Sequence, residues 1–176
     1  MTGQLGSTDL KRLHREWRRR TDGRLALLLD NVQAPFNVGA IVRTAAAERV
    51  EHLYLAGDTV DPSHAKARKV SLGTERYLTW TAFPDATAAV AAARSDGWRL
   101  VGVELAEQAA PLHEAPLHGD VCLVLGHEDR GLTAAALAAC EAITFVPQLG
   151  RVGSLNVSHA ASIAIYEVRR RHWTAS

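Results

Sequence analysis

Three polar segments of this chain each follow an apolar run and lead into a helix-forming one, the place where an open parallel sheet presents its ligands. In "NVQAPFNVGAIVRTA", Asn37 can cap a helix and Arg43 follows six residues later, about one and two-thirds helical turns on. A guanidinium there can grip a phosphate near the helix entrance, although a plain cap and a solvated arginine suit the same residues. In "GHEDRGL", Gly126 and Gly131 bracket Glu128. Glycines let the backbone approach a ligand and free amides at a helix start hold polar groups, but a tight turn with an exposed glutamate reads alike. In "FVPQLGRVGSLNVSHAA", Ser154 and Asn156 flank a leucine with glycines upstream, more than one helix cap requires.

Other chemistries are disfavoured. Neither a G-x-G-x-x-G fingerprint nor a phosphate-loop lysine motif is present. Ser154 lacks the G-x-S-x-G elbow of a serine nucleophile. The eight histidines include no pair at zinc-hydrolase spacing, and Cys122 and Cys140 stand in apolar runs as buried thiols would, so no metal site is expected.

The elements that must position these residues alternate. Ser7-Thr8-Asp9 can cap a first helix through about Arg20, and "RLALLLD" reads as a buried strand. Pro35 fixes a turn before the helix of "NVGAIVRTAAAE", and "HLYLAG" is a second strand. Then follow a loop with one helical segment in "DPSHAKARKVSLG", a strand in "RYLTW", a proline-opened helix in "PDATAAVAAARSDG" and a strand in "WRLVGVEL". After the looser "AEQAAPLHEAPLHGD" come the strand "VCLVLG", the helix "LTAAALAAC", the strand "AITFVP" and a last helix, "NVSHAASIAIYEVRRR". The pattern predicts an α/β fold, a mostly parallel sheet with helices on both faces, without internal repeats.

With 176 residues, 47% of them apolar and 22% charged, the chain suits one ordered domain. It has no signal-like start and no run of membrane-spanning length, so a cytoplasmic location is expected. Net charge is only +1, yet Lys11, Arg12, Arg15, Arg18, Arg19, Arg20 and Arg24 crowd the N-terminal segment, and Arg169, Arg170 and Arg171 form a second basic group. Clustered arginine suits a polyanion, and equally a solvated helix face.

Taken together, "NVGAIVRTAAA", "LVLGHEDRGL" and "VPQLGRVGSLNVSHAASIAIYE" resemble, in order, the three motifs of the SpoU (TrmH-like) branch of the SPOUT superfamily, the RNA ribose 2'-O-methyltransferases. The resemblance spans roughly residues 24 to 171 and implies a C-terminal deep trefoil knot, S-adenosyl-L-methionine as cofactor and a homodimer that binds RNA. It divides the chain into an N-terminal basic helix for RNA, residues 1–23, and a methyltransferase domain, residues 24–176. Ala160, Ala161, Ala164 and Val168 give the last helix a small-residue face that could pack against another helix, in the partner or in the same chain.

Carried over residue by residue, the resemblance makes Arg43, Ser154 and Asn156 catalytic. Val103, Leu125, Gly126, Gly131, Val146 and Leu155 would line the cofactor pocket, with Glu128 and Pro147 as structural support. Asn37 and Arg43 would meet RNA, together with Arg18, Arg19 and Arg20 outside the catalytic centre. The implied reaction is attack of a ribose 2'-hydroxyl on the cofactor's methyl group. Because a guanidinium is a poor base, Arg43 is expected to orient the ribose and stabilise the developing alkoxide while the proton leaves to phosphate or water. A tRNA substrate, the D-loop guanosine above others, is expected; an rRNA or wobble-position tRNA target, and a non-catalytic RNA-binding module, are the alternatives.

Overall fold

A computed structural model describes residues 3–174. Helix α1 (Ser7–Arg19) precedes strand β1 (Leu25–Asp30), and α2 (Pro35–Ala47), β2 (His52–Ala56), α3 (Ala65–Ser71) and β3 (Thr79–Phe83) follow. The chain then forms α4 (Ala86–Ser95), β4 (Arg99–Val103), the two-residue β5 (Ala110–Pro111), β6 (Val121–Leu125), α5 (Ala134–Ala139), β7 (Ala142–Phe145) and α6 (Val157–Thr174). All seven strands pair in parallel in the order β3-β2-β1-β6-β4-β7-β5. Strand β6 is inserted between β1 and β4, and its register sets Leu29, Leu125 and Val103 side by side at the carboxyl edge. The three polar segments of the sequence emerge at that edge.

Alternation along the strands divides the core in two. Leu25, Leu27 and Leu29 face the side covered by α2, α3 and α6, where Ile41, Val42, Ala67, Ala161 and Ile165 are buried. Ala26 and Leu28 face α4 and α5 with Tyr54, Val90 and Ala136. The small-residue face of α6 is thereby used inside the monomer: Ala161, Ala164 and Val168 are fully buried on the sheet, while Ala160 lies at its margin. It therefore lends no support to a dimer.

Several local expectations shift. Helix α1 begins at Ser7 behind Gly6, with no side-chain cap. Asn37 does not cap α2; Pro35 takes the first helical position and Asn37 the third. Helix α4 is opened by Asp85, whose carboxylate accepts from the Ala88 amide, rather than by Pro84. Part of "RYLTW" forms a 3-10 turn over Thr74–Tyr77, because strand pairing with His52–Ala56 starts only at Thr79. Cys122 is buried and Cys140 half-buried. No helix among the described residues is long and apolar enough to cross a membrane.

The second basic group is also structural. Arg169 is only 3% exposed; its guanidinium donates to the carbonyls of Glu48 (2.8 Å), Gly23 (2.8 Å) and Arg49 (2.6 Å). It thereby fastens α6 to the end of α2 and the approach to β1. Arg170 and Arg171 both bond Glu167, and Arg171 also donates to the carbonyls of Leu112 and His113. Replacing Arg169 by leucine strands buried acceptors, so Arg169→Leu should lower the unfolding free energy by about 3 kcal/mol in denaturant titration.

Candidate functional site

The site is a chain of side-chain hydrogen bonds at the carboxyl edge of the sheet. The Glu128 Oε1 accepts from the Ala34 amide (3.2 Å) and from Asn37 Nδ2 (2.8 Å). Asn37 Oδ1 accepts in turn from Asn156 Nδ2 (2.9 Å). Asn156 Oδ1 accepts from the amide and hydroxyl of Ser158 at 2.9 and 2.6 Å, which caps α6 and settles that Asn156, rather than Ser154, is its cap. One residue from each polar segment is thus joined to the next. Burial of the Glu128 carboxyl pushes its pKa up, but the bonds from Asn37, its own amide and Ala34, with nearby His127, hold it below the ordinary carboxylate value. His127 Nδ1 lies 3.0 Å from the Asp129 amide nitrogen, which donates to it, and 3.9 Å from Glu128 Oε2.

Beside this chain lie two adjoining hollows of about 170 and 90 Å³. All six residues expected at the cofactor line them: Val103, Leu125, Gly126, Gly131, Val146 and Leu155. The glycines are sterically required. A Cβ on Gly126 would lie 2.3 Å from the Gly131 carbonyl carbon, and Gly131 itself has φ +67° with Glu104 Oε2 where a Cβ would stand. His127 and Gly131 close the hairpin with reciprocal backbone bonds of 3.1 and 3.0 Å.

Sequence reasoning passed over Glu104, Asp30 and Gln148. Glu104 lines both hollows and holds the loop after β6 through the Leu132 amide (3.0 Å). Asp30, fully buried, accepts from the Thr133 amide (2.7 Å) and fixes the start of α5. The signal for both was a carboxylate ending an otherwise apolar strand. Gln148 Oε1 is buried on the smaller hollow without a hydrogen-bond partner among the described residues.

Arg43 and Ser154 stand outside the hydrogen-bonded chain. Arg43 is exposed on α2 and, among the described residues, has neither hydrogen-bond nor ion-pair partner; Ser154 is exposed and lines both hollows. Pro147 lies at a separate apolar hollow with Ile163 and Tyr166. Arg18 and Arg19 sit on exposed α1 and Arg20 just past its end, away from the cleft, with Arg20 3.8 Å from Glu16. No group of three or more His, Cys, Asp or Glu side chains among the described residues is arranged to hold a metal.

An open parallel sheet with a cleft braced in this way at its carboxyl edge defines an open α/β protein, and comparison with known proteins gives its family. A profile of the SpoU rRNA methylase family matches residues 24–166, and the chain belongs to that family. It is 33% identical over 151 residues to a 23S rRNA (guanosine-2'-O-)-methyltransferase, RlmB, of Acinetobacter baylyi, covering 85% of this chain and 61% of that protein. The AdoMet-bound rRNA methyltransferase of Sinorhizobium meliloti superposes with a TM-score of 0.80 at 27% identity, covering 86% of this chain and 58% of that one. The TrmH/SpoU tRNA-modifying enzyme of A. aeolicus gives 0.77 at 25% identity, covering 94% and 85%. The chain spans about three-fifths of the length of curated relatives such as RlmB.

The chain of bonds predicts separable defects. Asn156→Asp keeps the acceptor for Ser158 but loses the donor to Asn37, so the thermal midpoint should fall less than in Asn156→Ala, which also loses a cap worth about 1 kcal/mol. Because its folded pKa is depressed, Glu128 stabilises the protein above about pH 4.5, and that stability is lost as pH falls through the lower folded value. Acid unfolding of Glu128→Gln should lack that component.

Proposed function

We propose that the protein is an S-adenosylmethionine-dependent RNA ribose 2'-O-methyltransferase. The observation that carries this reading is the Glu128–Asn37–Asn156 chain, which binds all three family segments around one cleft. The cleft suits the cofactor: apolar Val103, Leu125 and Leu155 suit an adenine, and the Glu104 and Asp129 carboxylates suit a sulfonium or ammonium charge. The orphaned Gln148 carbonyl supplies an acceptor for a ligand N–H. The bound cofactor supplies an electrophilic methyl group. The chain's own work is to hold that group with Val103, Leu125, Gly126, Gly131, Val146 and Leu155, to align the ribose and to ease loss of its proton.

Arg43 takes the part of the catalytic residue. Its unengaged guanidinium grips the RNA phosphate, orients the ribose and stabilises charge on the 2'-oxygen as the proton leaves to phosphate or water. Ser154 faces the same cleft as a hydrogen-bonding group for ribose or loop, while Asn37, Glu128, Asn156 and Pro147 keep the loops in place. Helix α1 and its Arg18, Arg19 and Arg20 form the RNA-binding extension ahead of a methyltransferase domain from residue 24.

Threading of the C-terminal part as a deep trefoil knot fits this arrangement. The segment after β7 crosses the ends of β4 and β6, where Leu155 shares a hollow with Val103 and Leu125, and α6 then packs on the centre of the sheet. A homodimer is favoured by the exposed Ile163 and Tyr166, which with Leu112, Val146 and Pro147 edge an apolar hollow of about 420 Å³. The protein would do this work in the cytoplasm.

A guanosine in ribosomal RNA is the favoured target, on the strength of relatives named as 23S rRNA guanosine-2'-O-methyltransferases. The tRNA D-loop guanosine is the second reading, supported by the likeness to the A. aeolicus tRNA-modifying enzyme. Labelled S-adenosylmethionine offered with separate rRNA and tRNA fractions, followed by mapping of the modified ribose, decides between them; no incorporation into either would refute the enzyme.

Two variants test the roles. Arg43→Ala should abolish methyl transfer while calorimetry finds cofactor affinity unchanged; full turnover would remove Arg43 from the mechanism. Neutralising Arg18, Arg19 and Arg20 should weaken RNA binding and reduce the slope of log affinity against log salt by up to about 2, without altering cofactor affinity.

A further inference from the structure

Helix α1 buries none of its own residues, so its placement rests on few contacts. Trp17 meets Trp173 of α6, ring centroids 5.0 Å apart and tilted by 57°, and Trp173 Nε1 donates to Thr21 Oγ1 at 2.9 Å. Between α1 and the body runs a groove of about 540 Å³ that belongs to neither the cofactor cleft nor the apolar hollow beside α6. Its walls include Trp17, Trp173, Tyr77, Arg18, Arg49 and Glu48. We propose that this groove binds one unstacked nucleotide of the RNA substrate, its base stacked among Trp17, Tyr77 and Trp173 and its phosphates on Arg18 and Arg49.

Three observations support this occupant. Aromatic faces interleaved with guanidinium groups are the chemistry that holds single-stranded nucleic acid, because every base has a π face and every linkage a charge. Here Tyr77 is 66% exposed with the Arg76 guanidinium 4.8 Å from its ring centroid, and the Arg20 guanidinium stands 5.4 Å from that of Trp17. Second, the cations are available: among the described residues neither Arg18 nor Arg49 is in an ion pair. Glu48, the single carboxylate on the walls among the described residues, offers an acceptor to a base amino group. A protein partner matched to this much positive charge would need an acidic segment; RNA needs nothing added.

Third, the groove reaches the side of α2 that carries Arg43. Its floor includes Ala47 at the end of α2, and Ala47 lies four residues beyond Arg43, one turn along the same side of the helix. Positions 43 and 47 are about 6 Å apart along the helix axis, so RNA lying on the groove can run on along α2 toward Arg43. The groove would help present the target by pulling a flanking base out of its stack.

This proposal rests on the RNA methyltransferase reading, and its test separates the two. Binding of a fluorescent single-stranded RNA of mixed sequence to the full chain is measured for the wild type, Tyr77→Ala, Trp17→Ala and Trp17→Phe, across a salt series. Both alanine variants should bind about tenfold more weakly with an unchanged salt slope, because an aromatic face rather than a charge is lost, and Trp17→Phe should recover most of the loss. Cofactor affinity should not move. Tyr77 is mostly exposed, so its removal tests the groove without disturbing the seat of α1. If both alanine variants bind within twofold of a wild type that binds and methylates RNA, the groove is not a nucleotide site and the enzymatic reading stands. If Trp17→Ala instead changes sedimentation without changing RNA affinity, the groove is an interface between copies and the proposal fails. A wild type that neither binds nor methylates RNA overturns both.

Discussion

A carboxylate beside a helix N-terminus, with an amide on either hand, leaves little freedom in how three loops can meet. Glu128 Oε1 accepts from the Ala34 amide at the entrance to α2, where the helix dipole favours negative charge, and from the Asn37 side chain. That contact fixes the Asn37 amide with its nitrogen toward Glu128 and its oxygen toward Asn156. Asn156 must then present its nitrogen to Asn37 and its oxygen to the first turn of α6. The bonds run in one sense from helix amides at one end to a carboxylate at the other. Residue type at each position follows: an aspartate at 37 would set two carboxylates together, and one at 156 would offer Asn37 no donor. The cleft owes its shape to these loops, so the chain of bonds governs cleft and helix start together.

The chain of bonds has a target because β6 is inserted between β1 and β4. That order places the loop after β6 next to the loop after β1, bringing Glu128 to Asn37 across 91 residues of sequence. The same insertion brings Glu104, just past β4, against Gly131, where any side chain would collide. The loop after β6 is therefore clamped from both neighbours, by Glu128 reaching to one side and Glu104 gripping Leu132 from the other. Two glycines inside a clamped hairpin are what close packing requires, and the resulting wall of backbone is the part of the cleft that side-chain chemistry alone would not reveal.

Legibility in the sequence followed the range of the interaction. Apolar periodicity and helix punctuation are local, and they located nearly every strand and helix, together with the three polar segments at the carboxyl edge. Strand order is set by pairings between distant residues, so nothing in "VCLVLG" says that it separates β1 from β4. The same limit explains the local errors. Asn37 looks like a cap because its own neighbourhood contains one helix start, whereas its partners lie 91 and 119 residues away. Arg169 looks like part of a basic surface because its neighbours are arginines, although it is buried against carbonyls from the other end of the chain. Glu104 and Asp30 carried a readable signal, a carboxylate closing an apolar strand, which the search for motifs passed over.

The contrast between Arg43 and the arginines that the fold holds bears on how the site would act. Arg24 is held by Glu51 and Asp120, Arg68 by Glu75, and Arg169 by three carbonyls. Each is positioned by the fold itself. Arg43 has no such restraint among the described residues, although the very next residue, Thr44, joins α2 to α6 by a 3.0 Å hydrogen bond to Ser162. Its backbone is fixed while its guanidinium is not. A side chain in that state keeps its full capacity for phosphate, since no internal carboxylate must first be displaced. The cost would be the rotamer freedom lost when a phosphate is bound. Under the proposed function, the cleft and its loops would be organised in the free protein and the last element of the site completed by the substrate's own charge.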